Sequence, residues 1–459
     1  MKEINLNGKK HIHFIGIGGI SMSALANVSL TKGLTVSGSD SKESELVQEL
    51  RAEGAAIQIG QRAENITDDI DLVVYTAAIS DTNPELAQAR AKGIETMVRA
   101  DYLGLLMKEY ETVICVSGTH GKTTTTSLLS QILLDEDTDP TIMVGGMLPS
   151  IGGNARIGHS GKLITEACEY TNSFLSFFPT MEVILNVQAD HLDFFKDLDD
   201  IRHSFREYTR LLPDTGTLII NGEIDNLSYF TEGLGCKIYT FGLEEGCDFT
   251  AKNITCDSFA CDSFDVWHNE VLLGHVSLKI PGRHNVYNAL AAVASAFALG
   301  LSIEHACASV SSFRGVDRRF EIKGKFDDVT VIDDYAHHPD EIRATLTAAK
   351  DFPHEKLWVI FQPHTYSRTK AFLDEFADAL SLADAVVLTD IYAAREINTF
   401  GVSSKDIQER IQLKGKDCYY FDTFEESEKF LKENCKHGDV LITMGAGDVY
   451  LVGENLLAR

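Results

Sequence analysis

A glycine-rich segment between a predicted strand and a predicted helix carries the residues best suited to phosphate chemistry. The segment GTHGKT, residues 118–123, follows the apolar run VICVS and precedes a run of small residues. Backbone N–H groups in such a loop, and the positive end of the following helix, favour an anion. Lys122 supplies a charge to the terminal phosphates of ATP, and the Thr123 hydroxyl is suited to Mg²⁺. The spacing departs from the usual P-loop, since Val116 stands where the first glycine is expected. The alternative is a glycine-rich turn that binds no ligand.

Acidic and imidazole side chains follow two later predicted strands. Glu166 ends the strand LITE, and Asn186, Asp190 and His191 follow the strand MEVIL. Ligands of open parallel sheets sit at the carboxyl ends of strands, so we expect Glu166 and His191 to face the same crevice as Thr123. These three residues are the predicted Mg²⁺ ligands, although His191 is a less usual ligand for that ion. The alternatives are a helix N-terminal carboxylate for Glu169, three residues after Glu166, and a capping role for His191.

A second glycine loop lies about a hundred residues upstream. Gly16, Gly18 and Gly19 separate the first predicted strand from its helix, but Ser21 replaces the third glycine of the dinucleotide fingerprint. Asp40, at the end of the second strand, stands at the distance expected of a residue that accepts ribose hydroxyls. Three interpretations remain open: a nicotinamide dehydrogenase, a site for a nucleotide-sugar diphosphate, and a fold relic that binds no nucleotide.

The order of predicted elements places both loops in an α/β fold. Strand-like and helix-like runs alternate in three series, as in parallel sheets with crossover helices. Between residues 237 and 281, short β-rich runs separated by Gly, Asn and Asp predict antiparallel hairpins added to the second series. We therefore expect three α/β domains that span residues 1–107, 108–312 and 313–459.

Charge and composition exclude several classes of protein. A formal charge of −27 over 459 residues disfavours nucleic acid and anionic lipid as partners. The nine cysteines lack paired spacing, which favours free thiols in a reducing compartment. The first residues lack a signal-peptide pattern, and no apolar run approaches ~18 residues. We expect a cytoplasmic protein without a membrane or nucleic-acid partner.

Several motifs together resemble the Mur ligase family, in order and in spacing. They are GTHGKTTTT, EACE, ADHLD, PGRHNVYNALAA, FRGVDRRFE, DDYAHHPDEI and FQPHTYSRT. The N-terminal HFIGIGGISMSALA and VSGSD are most similar to the member that adds L-alanine to UDP-N-acetylmuramic acid. The resemblance spans nearly the whole chain. It implies a Rossmann-like UDP-sugar domain, a central P-loop ATPase domain with added antiparallel strands, and a Rossmann-like C-terminal amino-acid domain.

The resemblance also implies a set of site residues, with ATP and Mg²⁺ as cofactors and UDP-N-acetylmuramate and L-alanine as substrates. The residues expected to bind ATP are Gly118, Thr119, His120, Gly121, Lys122, Thr123, Thr124, His284, Asn285, Asn288, Arg319 and Asp340. The UDP-sugar would contact Gly16, Gly18, Gly19, Ser21 and Asp40, and the amino-acid and acyl end Tyr335, His337, His364 and Arg368. The implied catalytic residues are Lys122, Arg319, and either His191 or His337 as the base that deprotonates the amine.

The sequence departs from the family pattern at a few positions. Thr365 follows the histidine of FQPHTYSRT where a basic residue is usual, so recognition of a carboxylate rests more on Arg368. Arg206 occupies the position of a lysine that is carbamylated in some relatives, which disfavours those members. A ligase that recycles peptides onto the same UDP-sugar, a dehydrogenase and a non-catalytic nucleotide-binding module remain the alternatives. We expect a monomer or a homodimer.

Overall fold

The structure, a computed structural model, describes residues 8–76, 79–192, 194–394 and 396–458. The start of the N-terminal stretch used above to exclude a signal peptide, residues 1–7, lies outside the described residues. The chain forms two compact units, Met1–Val187 with Arg202–Thr240, and Gln188–Ile201 with Phe241–Arg459. Each unit is described by itself. The domain boundaries near residues 107 and 313 stay predictions, since the units divide the chain at other positions.

The first sheet belongs to the first unit and is parallel throughout. Its elements are β1 His11–Ile15, α1 Ile20–Thr31, β2 Thr35–Asp40, α2 Glu45–Ala52, β3 Ala56–Ile59, β4 Leu72–Tyr75, α3 Pro84–Ala91, β5 Glu95–Val98 and α4 Arg99–Met107. The strand order is β3-β2-β1-β4-β5, which is the order of the doubly wound dinucleotide-binding sheet without its sixth strand. The predicted strand DLVVYTAA is shorter than expected, and its Ala77 and Ala78 lie outside the described residues.

Apolar packing explains why these runs form a sheet with covering helices. Ile12 and Phe14 on one face of β1 and Ile15 on the other are fully buried, as expected for a strand covered on both faces. Tyr102 of α4 meets the Phe14 ring edge-on at 5.7 Å between centroids. The Tyr102 hydroxyl forms a 2.7 Å hydrogen bond with Ser29 of α1, which satisfies both buried groups.

The second series of the first unit carries the other glycine loop. Its elements are β6 Thr112–Ser117, α5 Lys122–Asp135, β7 Thr141–Leu148, β8 Gly153–Arg156, β9 Lys162–Glu166, β10 Met181–Ile184, α6 Leu198–Thr209, β11 Thr217–Asn221, α7 Ser228–Thr231 and β12 Lys237–Gly242. The strand order is β8-β7-β9-β6-β10-β11-β12. Strand β8 pairs antiparallel with β7, a hairpin that the sequence did not predict. Helix α6 continues from the second unit into the first.

The second unit begins with β-rich hairpins and two helices. These elements are β13 Phe249–Cys256, β14 Cys261–His268, β15 Val271–Pro281, α8 His284–Ala298 and α9 Ile303–Ser312. Pairing is antiparallel between β13 and β14 and between β14 and β15, as predicted. The prediction is wrong for the first pair, because Phe241 and Gly242 run parallel to Phe249 and Thr250. Six residues separate β12 from β13, which is longer than the two-residue turn of a tight hairpin, and the two strands run the same way.

The last sheet also belongs to the second unit. Its elements are β16 Glu321–Phe326, β17 Val329–Asp334, α10 Pro339–Asp351, β18 Leu357–Phe361, α11 Tyr366–Ala371, α12 Leu373–Leu380, β19 Ala385–Leu388, α13 Ser404–Leu413, β20 Asp417–Tyr420, α14 Phe424–Asn434, β21 Val440–Met444 and α15 Tyr450–Leu457. The order is β16-β17-β21-β18-β19-β20, parallel except for the edge strand β16. The α/β class and the three sheets are therefore as predicted. Among the described helices, none combines the length and the apolar character needed to cross a bilayer.

Candidate active site

The phosphate loop joins β6 to α5 through two glycines with left-handed or extended positive φ. Gly118 has φ +140° and Gly121, which precedes the helix, has φ +86°. A Cβ on Gly118 would lie 3.0 Å from the Leu185 Cβ and 3.2 Å from the Asn186 backbone nitrogen. Other residues rarely adopt such φ values, and a side chain at Gly118 would be crowded by these neighbours. The displaced glycine of the motif is thus required by this backbone.

Asn186 holds the middle of the loop in place. Its Oδ1 accepts a 2.9 Å hydrogen bond from the His120 N–H, and its Nδ2 donates at 3.0 Å to the His120 carbonyl. The side chain therefore replaces a strand partner for His120. The sequence placed Asn186 at a strand end without giving it a role, and only the fold brings it to the loop.

Lys122 is the buried cation of this loop. Its ammonium donates to the carbonyls of Gly118 and Thr119 and lies 3.1 Å from the Glu169 Oε2. Glu169 is only 2% exposed, so this is a largely desolvated ion pair. Burial alone would lower the pKa of Lys122, but the nearby carboxylates, Glu169 foremost, raise it above its usual range. The lysine stays charged and is poised to exchange the loop carbonyls for phosphate oxygens.

Glu166 and Thr123 supply hard oxygen donors beside the lysine. Glu166 ends β9, and its Oε1 accepts a 2.6 Å hydrogen bond from the Gly145 N–H of β7. A Cβ on Gly145 would lie 2.9 Å from that oxygen, so the glycine permits the approach. Oε2 of Glu166 has no hydrogen bond within the described part of the chain. A carboxylate oxygen of this kind and the hydroxyl of the buried Thr123 fit the ligand preference of Mg²⁺.

The first glycine loop is built differently. Gly16 has φ +80°, and its N–H donates to the Ser39 carbonyl at 2.8 Å. The Gly18 N–H donates to Asp40 Oδ2 at 2.9 Å, while Oδ1 accepts from the Ser41 N–H at 2.7 Å. Asp40 therefore fixes the loop itself. Gly19 caps α1, and Ser21 is exposed in the first turn of that helix.

The β7–β8 hairpin links the two loops inside the first unit. Asn154 of β8 is buried, and its Nδ2 donates a 2.6 Å hydrogen bond to the Ile20 carbonyl at the start of α1. The same hairpin supplies the Gly145 N–H to Glu166. The predicted sugar-nucleotide loop and the predicted metal carboxylate therefore share one supporting element.

The second unit carries the residues that the sequence assigned to adenine and ribose. Asn285 and Asn288 are buried in the first turns of α8, where Asn285 Nδ2 donates to the Pro281 carbonyl at 2.8 Å and Asn288 Nδ2 donates to Asn285 Oδ1 at 2.9 Å. His284 begins the helix and is exposed. Asp340 is exposed in the first turn of α10, behind the capping residue His338. A Cβ on Gly282 would lie 3.5 Å from the Ala348 Cβ, so the start of α8 adjoins α10.

A row of rings joins the residues predicted for the amino-acid end. Successive ring centroids lie 5.4 Å apart for Tyr335 and His337, 5.8 Å for His337 and His364, and 5.7 Å for His364 and Tyr392. The guanidinium of Arg319 lies 5.2 Å from the Tyr335 ring centroid. Tyr392 stacks nearly parallel on His364, at 17° between planes, and was not predicted. It follows β19 by a few residues, and no local sequence pattern connects it to His364.

His337 is held in one tautomer. Its Nδ1 lies 3.0 Å from the Tyr335 carbonyl, so Nδ1 carries the hydrogen and Nε2 keeps its lone pair. Burial lowers the pKa of His337 to about 3, and the opposing charge of Glu341 does not compensate. The ring is therefore neutral at neutral pH and a weak base for an ammonium group. The choice of His337 as the general base stays a prediction that this pKa weakens.

Arg368 and His191 meet at one carboxylate. The Arg368 guanidinium lies 3.3 Å from Asp190 Oδ1, and Asp190 also accepts from the His191 N–H at 2.6 Å. Burial would raise the pKa of Asp190, but Arg368 holds it well below its usual range. His191 has φ +53°, so this turn aims its ring by a backbone conformation unusual for a residue other than glycine.

The predicted residues thus fall into two groups. The first unit brings together the phosphate loop, Glu166 and, through β7 and β8, the first glycine loop. The second unit brings together Arg319 with the ring row, and Arg368 with His191, and the charge of Arg368 also acts on His337 of the row. The predicted metal set is divided between the units, since Thr123 and Glu166 belong to the first and His191 to the second. Arg206, the residue at the carbamylation position, lies with its guanidinium 4.4 Å from the Tyr229 ring centroid.

Comparison with known families matches this arrangement along the chain. Three family models match: the Mur ligase family, catalytic domain, over residues 11–111, the Mur ligase middle domain over 116–296, and the Mur ligase, glutamate ligase domain over 318–447. The chain belongs to the Mur ligase family. It is an α/β ligase of that family, with one matched region for each of the three sheets.

Two named relatives and two solved structures are similar to the chain over nearly its full length. The chain is 58% identical over 459 residues to UDP-N-acetylmuramate–L-alanine ligase of Agathobacter rectalis, and 56% identical over 458 residues to that of Lachnospira eligens, with 100% of both chains covered in each case. Its fold matches the UDP-N-acetylmuramate-alanine ligase of Thermotoga maritima with a TM-score of 0.83 at 34% identity, over 98% and 99% of the two chains. A murein peptide ligase from Psychrobacter arcticus matches with a TM-score of 0.76 at 26% identity, over 98% of each chain.

Proposed function

We propose that the chain is an ATP-dependent ligase that joins L-alanine to the lactyl carboxylate of UDP-N-acetylmuramic acid, in the synthesis of peptidoglycan precursors. The observation that carries the proposal is the 56–58% identity, over the whole chain, to proteins that bear the name of that ligase. Lys122 in the phosphate loop and Glu166 at the end of β9 support the proposal, because a cation and a carboxylate in these positions suit transfer of a phosphoryl group.

The first step turns a poor electrophile into a reactive one. A carboxylate oxygen attacks the γ-phosphorus of ATP, the bond to the β-phosphate oxygen breaks, and an acyl phosphate and ADP result. Lys122 and the loop N–H groups stabilise the charge on the transferring oxygens. Thr123 and Glu166 would hold Mg²⁺, with His191 as the third predicted ligand. When bound, that ion neutralises phosphate charge.

The second step forms the amide. The amine attacks the acyl carbonyl and gives a proton to a base, predicted to be His191 or His337, and the bond between the carbonyl carbon and the phosphate oxygen breaks. Arg368 is suited to the carboxylate of the incoming amino acid, since it is a fixed, buried cation beside Asp190. The ring row from Tyr335 to Tyr392 supplies apolar walls near it in the proposal, and Arg319 is predicted to reach the phosphates. Exclusion of water protects the acyl phosphate from hydrolysis.

The test measures phosphate release from ATP with each substrate alone and with both. We expect release only when UDP-N-acetylmuramate and L-alanine are present together. Release at the full rate without the sugar nucleotide would contradict the proposal. With ¹⁸O in the lactyl carboxylate, one labelled oxygen should appear in the released phosphate, because the acyl phosphate transfers it.

A panel of acceptors separates the alternatives. The peptide ligase of similar fold makes a tripeptide acceptor worth testing beside alanine, glycine and serine. Activity with the tripeptide in place of alanine would favour the peptide-recycling alternative. Fluorescence of NADH on titration with the protein tests the dehydrogenase alternative, for which we expect no change. The cytoplasmic location, and a monomer or homodimer, stay predictions.

A further inference from the structure

Arg99 occupies a position that connects the two glycine loops. It directly follows β5 and begins α4, so it lies at the carboxyl edge of the first sheet. The loop after β1, with Gly16 and Gly18, lies at the same edge because β1, β4 and β5 are parallel. Side chains at that edge face whatever the sheet binds.

The helix that Arg99 begins is packed against the segment that follows the phosphate-site carboxylates. Ser176 Oγ donates a 2.6 Å hydrogen bond to Asp101 Oδ1, two residues from Arg99. A Cβ on Gly104 would lie only 2.1 Å from the Ser176 carbonyl oxygen, so the two backbones are in close contact. The turn 170–176 follows Glu166 and Glu169 directly. The start of α4 is therefore held beside the end of β9.

The guanidinium of Arg99 is desolvated without an ion-pair partner. Within the described residues, no hydrogen bond or salt bridge of this side chain occurs, whereas Arg51 of α2 and Arg90 of α3 pair with Glu43 and Asp81. Burial lowers the pKa of Arg99, and the charges of Cys168 and Glu166 only partly offset this effect. The side chain is half-buried, so a ligand has access to it. A fork of donors held in this way suits a planar anion.

We propose that Arg99 binds the carboxylate of the acid substrate and holds it toward the γ-phosphate of ATP. The inference rests on the proposed function. Lys122 is predicted to serve the triphosphate, whereas Arg99 directly follows a strand of the sheet that carries the predicted sugar-nucleotide loop. A bidentate pair fixes the carboxylate plane, leaves a lone pair free to attack phosphorus, and keeps Arg99 protonated throughout.

The test compares two sugar nucleotides that differ in the reacting group. UDP-N-acetylmuramate carries the lactyl carboxylate, and UDP-N-acetylglucosamine has the same uridine diphosphate and amino sugar without it. Binding of each is measured by calorimetry without ATP, for the full-length wild type, Arg99→Met and Arg99→Lys. We expect Arg99→Met to weaken UDP-N-acetylmuramate about 10- to 100-fold and to leave UDP-N-acetylglucosamine unchanged. Arg99→Lys should give an intermediate loss, because it keeps the charge without the fork.

Several outcomes would overturn the inference. Equal weakening of both nucleotides would assign Arg99 to the shared diphosphate or to the fold, and no weakening would leave it without a role in binding. A raised KM for ATP alone would assign it to the γ-phosphate. Arg90→Met is the matched control, since Arg90 is exposed and paired, and it should change neither affinity. If Arg99→Met does not fold, the same comparison in Arg99→Lys decides. If the wild type does not use UDP-N-acetylmuramate, the proposed function fails, and not this inference alone.

Discussion

The two glycine loops of the first unit both connect a strand to a helix, and they differ in their side chains. Each joins a parallel strand to a helix, β1 to α1 and β6 to α5. The downstream loop carries a buried lysine paired with Glu169, whereas the upstream loop places an aspartate on its own Gly18 N–H. A glycine loop between a strand and a helix is therefore predicted to serve transfer of a charged phosphoryl group in one case and only the holding of a nucleotide in the other. The two loops differ in the charged side chain that each one holds, which is Lys122 in the downstream loop and Asp40 in the upstream loop.

The largest effect should follow removal of that cation. Lys122→Met should lower turnover by about 10³-fold, because the transferring oxygens lose a preorganised charge. Affinity for the sugar nucleotide should stay nearly unchanged. Rapid-quench measurement of phosphate release, with calorimetry for the nucleotide, checks both. Lys122→Met also leaves Glu169 buried without a counter-charge, which costs about 3 kcal/mol or more. The double variant with Glu169→Gln should recover thermal stability but not activity, and recovery of activity would refute the role of Lys122.

Glu166→Gln should weaken the predicted metal site beside the phosphate loop and leave binding at the first glycine loop unchanged. The amide oxygen can still accept from the Gly145 N–H, so the fold is retained, but an anionic oxygen ligand is lost. We expect turnover to fall about 10²-fold and the Mg²⁺ concentration needed for half activity to rise. Sugar-nucleotide binding measured in EDTA should match the wild type. An unchanged Mg²⁺ titration would remove Glu166 from the metal site.

A matched pair of glycine variants should affect one substrate each. Gly118→Ala places a Cβ at 3.0 Å from Leu185 with φ +140°, and we expect kcat/KM for ATP to fall roughly 30-fold. Gly18→Ala places a Cβ at 2.7 Å from Val47, and about a tenfold loss should appear only in KM for the sugar nucleotide. Steady-state kinetics with each substrate varied distinguishes them. If Gly18→Ala raised KM for ATP instead, the assignment of ATP to one loop and of the sugar nucleotide to the other would be wrong.

Asp40→Asn should have the smallest effect. The amide oxygen can still accept from the Gly18 N–H, but that bond loses its charge assistance and the amide nitrogen cannot accept from the Ser41 N–H. We therefore expect binding of the sugar nucleotide to weaken about threefold. Calorimetry at two salt concentrations measures this. Tighter binding would show instead that the aspartate charge opposes a diphosphate at this loop.

The sequence predicted the parts of this site that depend on residues close together in the chain, and it missed contacts between distant segments. The glycines and Lys122 were predictable because their strand, turn and helix are neighbours in the chain, and Glu166 because it ends a strand of the same parallel sheet. The β7–β8 hairpin was not, since Gly145 and Asn154 act on Glu166 and Ile20 through pairing of distant segments. Tyr392 was missed for the same reason, and the parallel pairing of β12 with β13 reversed a prediction drawn from turn residues alone.

The division of the chain has a consequence for synthesis. Residues 188–201 belong with the second unit, although the segments on both sides of them belong with the first. On the ribosome, this stretch emerges before nearly everything it packs with, and its Phe195, 3% exposed in the finished fold, must wait uncovered. A nascent chain stalled shortly after residue 240 should therefore attract a chaperone at this stretch, and neither unit can be produced as one uninterrupted fragment.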